Sequence, residues 1–240
     1  MPVLFVLCGF DLYLTLFSSL LVDCGNALVM TLIAARYGRV DIRRGIALTA
    51  FALAWVGAGL LVGRTFIPGH EDVFRGSAGI VTILIGMVFL VKGWRNAPRP
   101  EVPPVSGGGR RHLIYAGVAV MAFQVGLIGI GGGMGYAVFL MLFSAYPVRK
   151  ATGTAMLMTF GSTLFAAGAI FFIIPESAFQ QAGAAFLIPA MMGLSMAGTA
   201  LGAKIAYALS ERQMYFLIGA IVAAAGSLAS AQKYMIHLTP

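Results

Sequence analysis

Charge is what this chain has least of. Only 10% of its 240 residues are Asp, Glu, Lys or Arg, while 60% are hydrophobic and the mean hydropathy is +0.92. Soluble domains carry about a quarter charged residues, so a soluble fold is excluded and the chain reads as an integral membrane protein. Cysteine is nearly absent: Cys8 and Cys24 are the only two. That is too few for a disulfide framework or a cysteine metal site, and two free thiols are expected. Histidine is scarce, and His70, His112 and His237 fall near expected loops without metal-ligand spacing. No Gly-x-Ser-x-Gly elbow and no intramembrane Ser/His or Ser/Lys dyad is present. Neither an enzyme nor a cofactor nor a metal is expected. No basic stretch precedes the first apolar run, which Asp11 interrupts, so no cleavable signal peptide is expected. The net charge of +8 comes from short loops, with no basic face interleaved with aromatics. The expected surroundings are therefore a lipid bilayer and not a nucleic acid.

What is present is continuous apolar sequence. Runs with charged borders give nine expected helical segments, at about 3–22, 24–37, 44–63, 73–94, 113–129, 134–147, 151–174, 183–208 and 213–234. A full crossing needs about 20 residues, so the second and sixth read as half-helices or steeply packed pieces. The runs do not alternate, which excludes a β-barrel. The fold class is all-α, a polytopic membrane helix bundle of about eight or nine segments.

Charge sets direction. Arg36, Arg39, Arg43 and Arg44 follow the second segment; Lys92, Arg95, Arg99, Arg110 and Arg111 follow the fourth; Arg149 and Lys150 follow the sixth. By the positive-inside rule these loops are cytoplasmic. Nine crossings then put the N-terminus in the cytoplasm and the C-terminus outside, in a bacterial cytoplasmic (inner) membrane. The Pro- and Gly-rich stretch within 96–112 reads as a cytoplasmic linker between a first transmembrane repeat, 1–95, and a second, 113–240.

The halves resemble each other. Gly9-Phe10 followed by Leu14–Ser18 matches Gly135-Tyr136 followed by Leu140–Ser144, and Gly25-Asn26-Ala27 aligns with Gly153-Thr154-Ala155. Gly57-Ala58-Gly59 with Gly63 answers Gly198-Thr199-Ala200 with Gly202. The expected directions of the paired segments are opposite, which is the pattern of an inverted repeat in transporters. The first half lacks a counterpart of the fifth segment, so its first helix is missing.

Gly129-Ile130-Gly131-Gly132-Gly133 lies between two apolar runs. Non-helical backbone at membrane depth survives only where protein or water covers it, and in transporters such breaks mark ligand sites. A tight turn or a close helix crossing is the competing reading.

With Ala151-Thr152-Gly153-Thr154-Ala155 some twenty residues later, and Gly198-Thr-Ala-Leu-Gly-Ala203 ahead of Leu209-Ser-Glu-Arg212, the ordered set resembles the sulfite exporter TauE/SafE family of membrane permeases. The resemblance covers the second half and the first from about Gly25 to Gly93. It implies export or uptake of a small sulfur-containing or organic anion such as sulfite, sulfoacetate or a related sulfonate.

The residues supply a physical basis for an anion. Glycines expose N–H groups, and a helix N-terminus adds about half a positive charge. The substrate-binding set expected here is Gly129, Gly131, Gly132 and Gly133, with Thr152 and Thr154 donating hydroxyl bonds if the sixth and seventh segments begin at one point. Helix capping is the other reading of the threonines. Asn26, aligned with Thr154, and Gln124, before the break, read either as ligand donors or as interhelical hydrogen-bond partners. Asp11 is the acid within an apolar run and the candidate for proton coupling; Asp23 reads as a cap. Gly198 and Gly202 read as a close-packing face, and Arg149 and Lys150 as orienting charges or an anion funnel. A non-transporting membrane subunit or assembly factor, and an anion channel, remain alternatives to a permease. Homo-oligomerisation is left open.

Overall fold

The computed structural model describes the backbone of residues 12–94, 108–129, 132–144, 146–173 and 184–210, with further helical residues between 212 and 227. Asp11, Cys8, Ile130 and Gly131 lie outside the described residues. Those described are all-helical: α1 (Leu12–Arg36), α2 (Ile42–Trp94), α3 (Gly108–Ile128), α4 (Gly133–Phe143), α5 (Val148–Phe171) and α6 (Ala184–Ala208). Four stretches are long and apolar enough to cross a membrane: Leu14–Arg36, Ile42–Thr65, Val148–Phe171 and Phe186–Ile205. His112–Leu127 and Gly133–Phe143 are shorter apolar helices.

Two expected boundaries are absent. Residues 3–22 and 24–37 were expected as separate segments, yet α1 runs unbroken from Leu12, and Asp23 lies inside it rather than capping a second helix. Residues 44–63 and 73–94 were likewise separated by a polar stretch, and α2 runs through it for 53 residues. At Asp23 a charged residue interrupts hydropathy without interrupting helical hydrogen bonding. The stretch within α2 includes Pro68 and Gly69, both poor helix-interior residues, and nothing in the structure explains why the helix continues through them.

The chain forms two compact units. One draws on residues 1–62 and 104–204, the other on 63–103 and 205–240. In the first unit α5 is central. Its buried residues are mostly small, among them Ala151, Gly153, Thr154, Ala155, Ser162, Thr163, Ala166 and Ala167. Small residues let membrane helices approach closely enough for dispersion to hold them. α1 lies antiparallel to α5: Ala34 faces Gly153 and Phe17 faces Phe171. α2 runs parallel to α5, with Gly45 against Leu157 and Thr49 against Gly161. It also crosses α3 at Gly59 and Gly126, where each glycine meets backbone of the other helix. α3 and α4 are antiparallel, with Gly117 against Phe139 and Gly135 against Met121.

These directions bring the loop after Arg36, the start of α3 and the α4–α5 turn to one end of the unit. Three basic clusters of the sequence thus share an end. The opposite directions expected for the Gly25–Ala27 and Gly153–Ala155 segments are present in α1 and α5. Of the accompanying alignment of 9–18 with 135–144, residues 9–11 lie outside the described residues. Leu12–Ser18 continue straight into the rest of α1, whereas α4 is separated from α5 by a reversal at Ser144–Pro147. In the second unit Gly86 lies against the backbone of Ala223, and Gly219 against Leu90.

Candidate functional site

The glycine run breaks a helix. The last turn of α3 closes with Gly129 N–H donating to Val125 O at 2.9 Å. Gly129 itself has φ +67°, a left-handed conformation that costs any other L-residue about 1–2 kcal/mol and commonly ends helices. α4 starts four residues later. Its N-cap, Gly132, makes no side-chain capping bond. Tyr136 N–H donates to Gly132 O at 2.8 Å, so the N–H groups of Gly133, Met134 and Gly135 precede the first intrahelical acceptor.

Protein surrounds this break. Gly129, Gly132 and Gly133 are all buried. A Cβ on Gly129 would lie 2.8 Å from Leu16 Cδ2, one on Gly132 2.9 Å from Val125 Cγ2, and one on Gly133 2.9 Å from Thr159 Oγ1. Helices α1, α3, α4 and α5 therefore enclose it, as uncovered backbone polar groups at membrane depth require.

The hydroxyls beside the break come from α5. Thr159, Ser162 and Thr163 are buried, spaced i, i+3, i+4 on one face. Tyr136 Oη and Ser162 Oγ lie 3.2 Å apart, either being able to donate. Thr159 donates to Ala155 O at 2.9 Å and Thr163 to Thr159 O at 2.8 Å. Those two hydroxyl protons are thus committed to their own helix. Among the described residues, the first-turn amides of α4 and one proton of the Tyr136–Ser162 pair can face a ligand here. Cys24 of α1 is a buried free thiol.

The expected site residues divide. Gly129, Gly132 and Gly133 are brought together at the break. Gln124 lies on α3 just before it, half-buried. Thr152 and Thr154 lie in the first turns of α5, five to seven residues before Thr159, about 7–10 Å along the axis. The two helix starts do not converge, because α4 and α5 form an antiparallel hairpin and their N-termini point to opposite ends. Thr154 is instead engaged by the α1–α2 loop, its Oγ1 accepting Asp41 N–H at 3.0 Å. Asn26 donates its Nδ2 proton to Ser195 Oγ on α6 at 2.8 Å, the interhelical bond that was the competing reading. A methyl added at Gly198 or Gly202 would have no atom within 4 Å among the described residues, so they do not form a packed crossing there. Sequence reasoning missed Thr159, Ser162, Thr163 and Tyr136. Their signal was a run of hydroxyls at helical spacing within an apolar segment.

A bundle of membrane-length helices around a glycine-interrupted one defines a polytopic helical membrane protein with a discontinuous helix at its core. The family comparison agrees with the sequence motifs: the model of the sulfite exporter TauE/SafE family matches residues 1–228. The chain belongs to the sulfite exporter TauE/SafE family. No curated protein and no solved structure matches it.

Proposed function

We propose that the chain is a permease that carries a small sulfur-containing or organic anion, such as sulfite or a sulfonate, across the bacterial cytoplasmic membrane. The observation that carries this reading is the uncapped N-terminus of α4, buried among Thr159, Ser162 and Tyr136. Its first-turn amides and dipole suit one small negative charge. α4 spans 11 residues, about 16 Å. Its start therefore lies about half a hydrocarbon thickness from the basic end of the unit, the depth at which transporter sites lie. In this reading Gly129, Gly131, Gly132 and Gly133 line the site, Gln124 flanks it, and Tyr136 and Ser162 supply a hydroxyl donor. Thr152, Thr154 and Asn26 support helix packing.

The end carrying Arg36–Arg44, Arg110, Arg111, Arg149 and Lys150 faces the cytoplasm. α1 then enters from the opposite side at Leu12. Among the described residues α1 supplies one crossing before Arg36; a cytoplasmic N-terminus needs a second. Sequence 1–95 and 113–240, joined by 96–112, remain the proposed repeats.

Counterflow in proteoliposomes tests the reading, with sulfite, sulfoacetate and short carboxylates as solutes. Saturable exchange of one sulfur oxyanion by wild type, reduced at least several-fold in Tyr136→Phe, is expected. Ohmic conductance, or inactivity of well-folded protein towards every solute, would overturn it.

A further inference from the structure

The basic end of the first unit holds a cluster joining the two halves of the sequence. Asp41 caps α2, its Oδ1 accepting the N–H of Arg44 at 3.1 Å. Its Oδ2 accepts the hydroxyl of Tyr146 at 2.5 Å and faces Lys150 Nζ at 3.9 Å. Arg44 Nη1 donates to Tyr146 Oη at 3.3 Å. The Tyr146 ring has the Arg44 guanidinium 5.4 Å and the Lys150 ammonium 4.9 Å from its centroid. The N–H of Asp41 is held by Thr154 Oγ1. Gly153 lets the α1–α2 loop dock: a Cβ there would lie 2.4 Å from Arg39 O. The 39–44 turn is thus fastened to the start of α5.

This arrangement is a receptor for an anion that already holds one. A phenolic O–H, an ammonium and the N-terminus of α2 converge on a single carboxylate, with a guanidinium behind the phenol. Two cations face one anion, which leaves positive charge in excess. The Asp41 and Lys150 side chains are 28% and 39% exposed, so solutes from the aqueous side reach them. Burial alone would raise the Asp41 pKa; the Tyr146 hydroxyl, the Arg44 N–H and the Lys150 and Arg44 charges outweigh it and hold the carboxyl below its ordinary value. The carboxylate therefore stays ionised at neutral pH.

We propose that this clasp is the cytoplasmic gate of the transport path, with the Asp41 carboxylate occupying the place of the transported anion until a small oxyanion displaces it from Tyr146 and Lys150. The identity of the displacing anion rests on the transport reading above; the clasp does not. Displacement loosens the 39–44 turn on α5, leaving the Thr154 bond and the close approach at Gly153 as its remaining fastenings.

Hydrogen exchange of the segment 38–45, followed by mass spectrometry on the full-length protein, tests this without requiring transport. Asp41→Asn keeps the α2 cap, since asparagine caps as well as aspartate, but lacks the charge. Exchange is expected to accelerate at least about tenfold in Asp41→Asn and Tyr146→Phe, the loss of a charged hydrogen bond. In wild type, sodium sulfite should accelerate it relative to sodium chloride at matched ionic strength. That response should vanish in Lys150→Gln and in Asp41→Asn. Variants that accelerate exchange while sulfite leaves wild type unchanged would make the cluster a static brace and overturn the proposal. So would unchanged exchange in both variants. Sulfite-accelerated exchange without sulfite transport in liposomes would retain the anion-displaced clasp and sink the transport reading alone.

Discussion

The crossing of α2 and α3 gives the sharpest test of the packing. A methyl placed on Gly59 would lie 2.2 Å from Phe123 O and 2.9 Å from Leu127 N; one on Gly126 would lie 2.1 Å from Val56 O. Both obstacles are backbone, so no rotamer change relieves them. The helices must part by about 1 Å to restore ordinary contact, and neighbouring side chains then lose part of their dispersion attraction. Overpacking of this kind costs about 1–3 kcal/mol. For a chain of this length that corresponds to a fall in Tm of roughly 2–12 °C. The second methyl in Gly59→Ala/Gly126→Ala should cost less than the first, because the helices have already separated. Gly198→Ala is the control, with nothing among the described residues within 4 Å of its added methyl. Its melting point should be unchanged or raised, since alanine is the better helix former. Thermal melts of detergent-solubilised protein, followed by circular dichroism, read all four variants. If Gly59→Ala melts with wild type, or if Gly198→Ala falls as far, the proposed crossing is wrong.

Three further outcomes are expected. Tyr136→Phe and Ser162→Ala should each lower anion counterflow several-fold, and the double variant should lose little more, because one hydrogen bond joins the pair; additive losses measured in proteoliposomes would refute their joint role. In a double-mutant cycle on stability, Asn26→Ala and Ser195→Ala should couple by about 0.6 kcal/mol, the typical value for an interhelical membrane hydrogen bond, and zero coupling would contradict the bond. The stability gap between wild type and Tyr146→Phe should be flat through neutral pH. Asp41 has a depressed folded pKa, so its contribution is present above the ordinary 3.8 and is lost as acid titrates the folded carboxyl. Burial and the hydrogen bond to Asp41 raise the Tyr146 pKa above 10.0, so its contribution is present below that value and is lost as the folded phenol ionises in base. A midpoint near neutrality in that gap would point to a different titrating group.

The parts of this structure that were legible in the sequence are those written in single residues. Low charge announced helices in a membrane, and the glycines at 129–133 announced a break. The first described one proved to hold a left-handed conformation. Boundaries read from hydropathy were less informative. Asp23 is polar, but nothing in its backbone chemistry forbids a helix, and α1 passes through it; α2 passes through Arg64–Arg75 despite Pro68 and Gly69, a continuity that no local signal announces. Pairings across long separations were illegible. Thr154 was grouped with the glycine break on the condition that the two helix starts meet, whereas the reversal at Ser144–Pro147 carries the start of α5 back to the basic end. What meets Thr154 is Asp41, 113 residues earlier. Gly57–Gly59 and Gly198–Gly202 look alike as strings. Among the described residues only Gly59 of these meets another helix closely, because backbone proximity is a property of the partner as much as of the motif.

The α4–α5 hairpin gives the break and the clasp a common mechanical element. α4 begins at the glycine break and ends beside Tyr146; α5 begins with Lys150 and Thr154 at the clasp and carries Thr159 and Ser162 to the break. Each helix is thus fixed at one end by bonds to the α1–α2 loop and bordered at the other by groups suited to an anion. Interdigitated helices do not bend continuously under a small force. Release of Tyr146 and Lys150 from Asp41 would therefore favour a shift of the hairpin as a unit over local fraying. Gly132 and Gly133 sit at the pivot end of such a shift, where the absence of side chains leaves the backbone free to move against Val125 and Thr159. A substrate bound to the α4 amides would add its charge to the moving element itself. Site occupancy and gate position would then be linked through one rigid body, as alternating access requires.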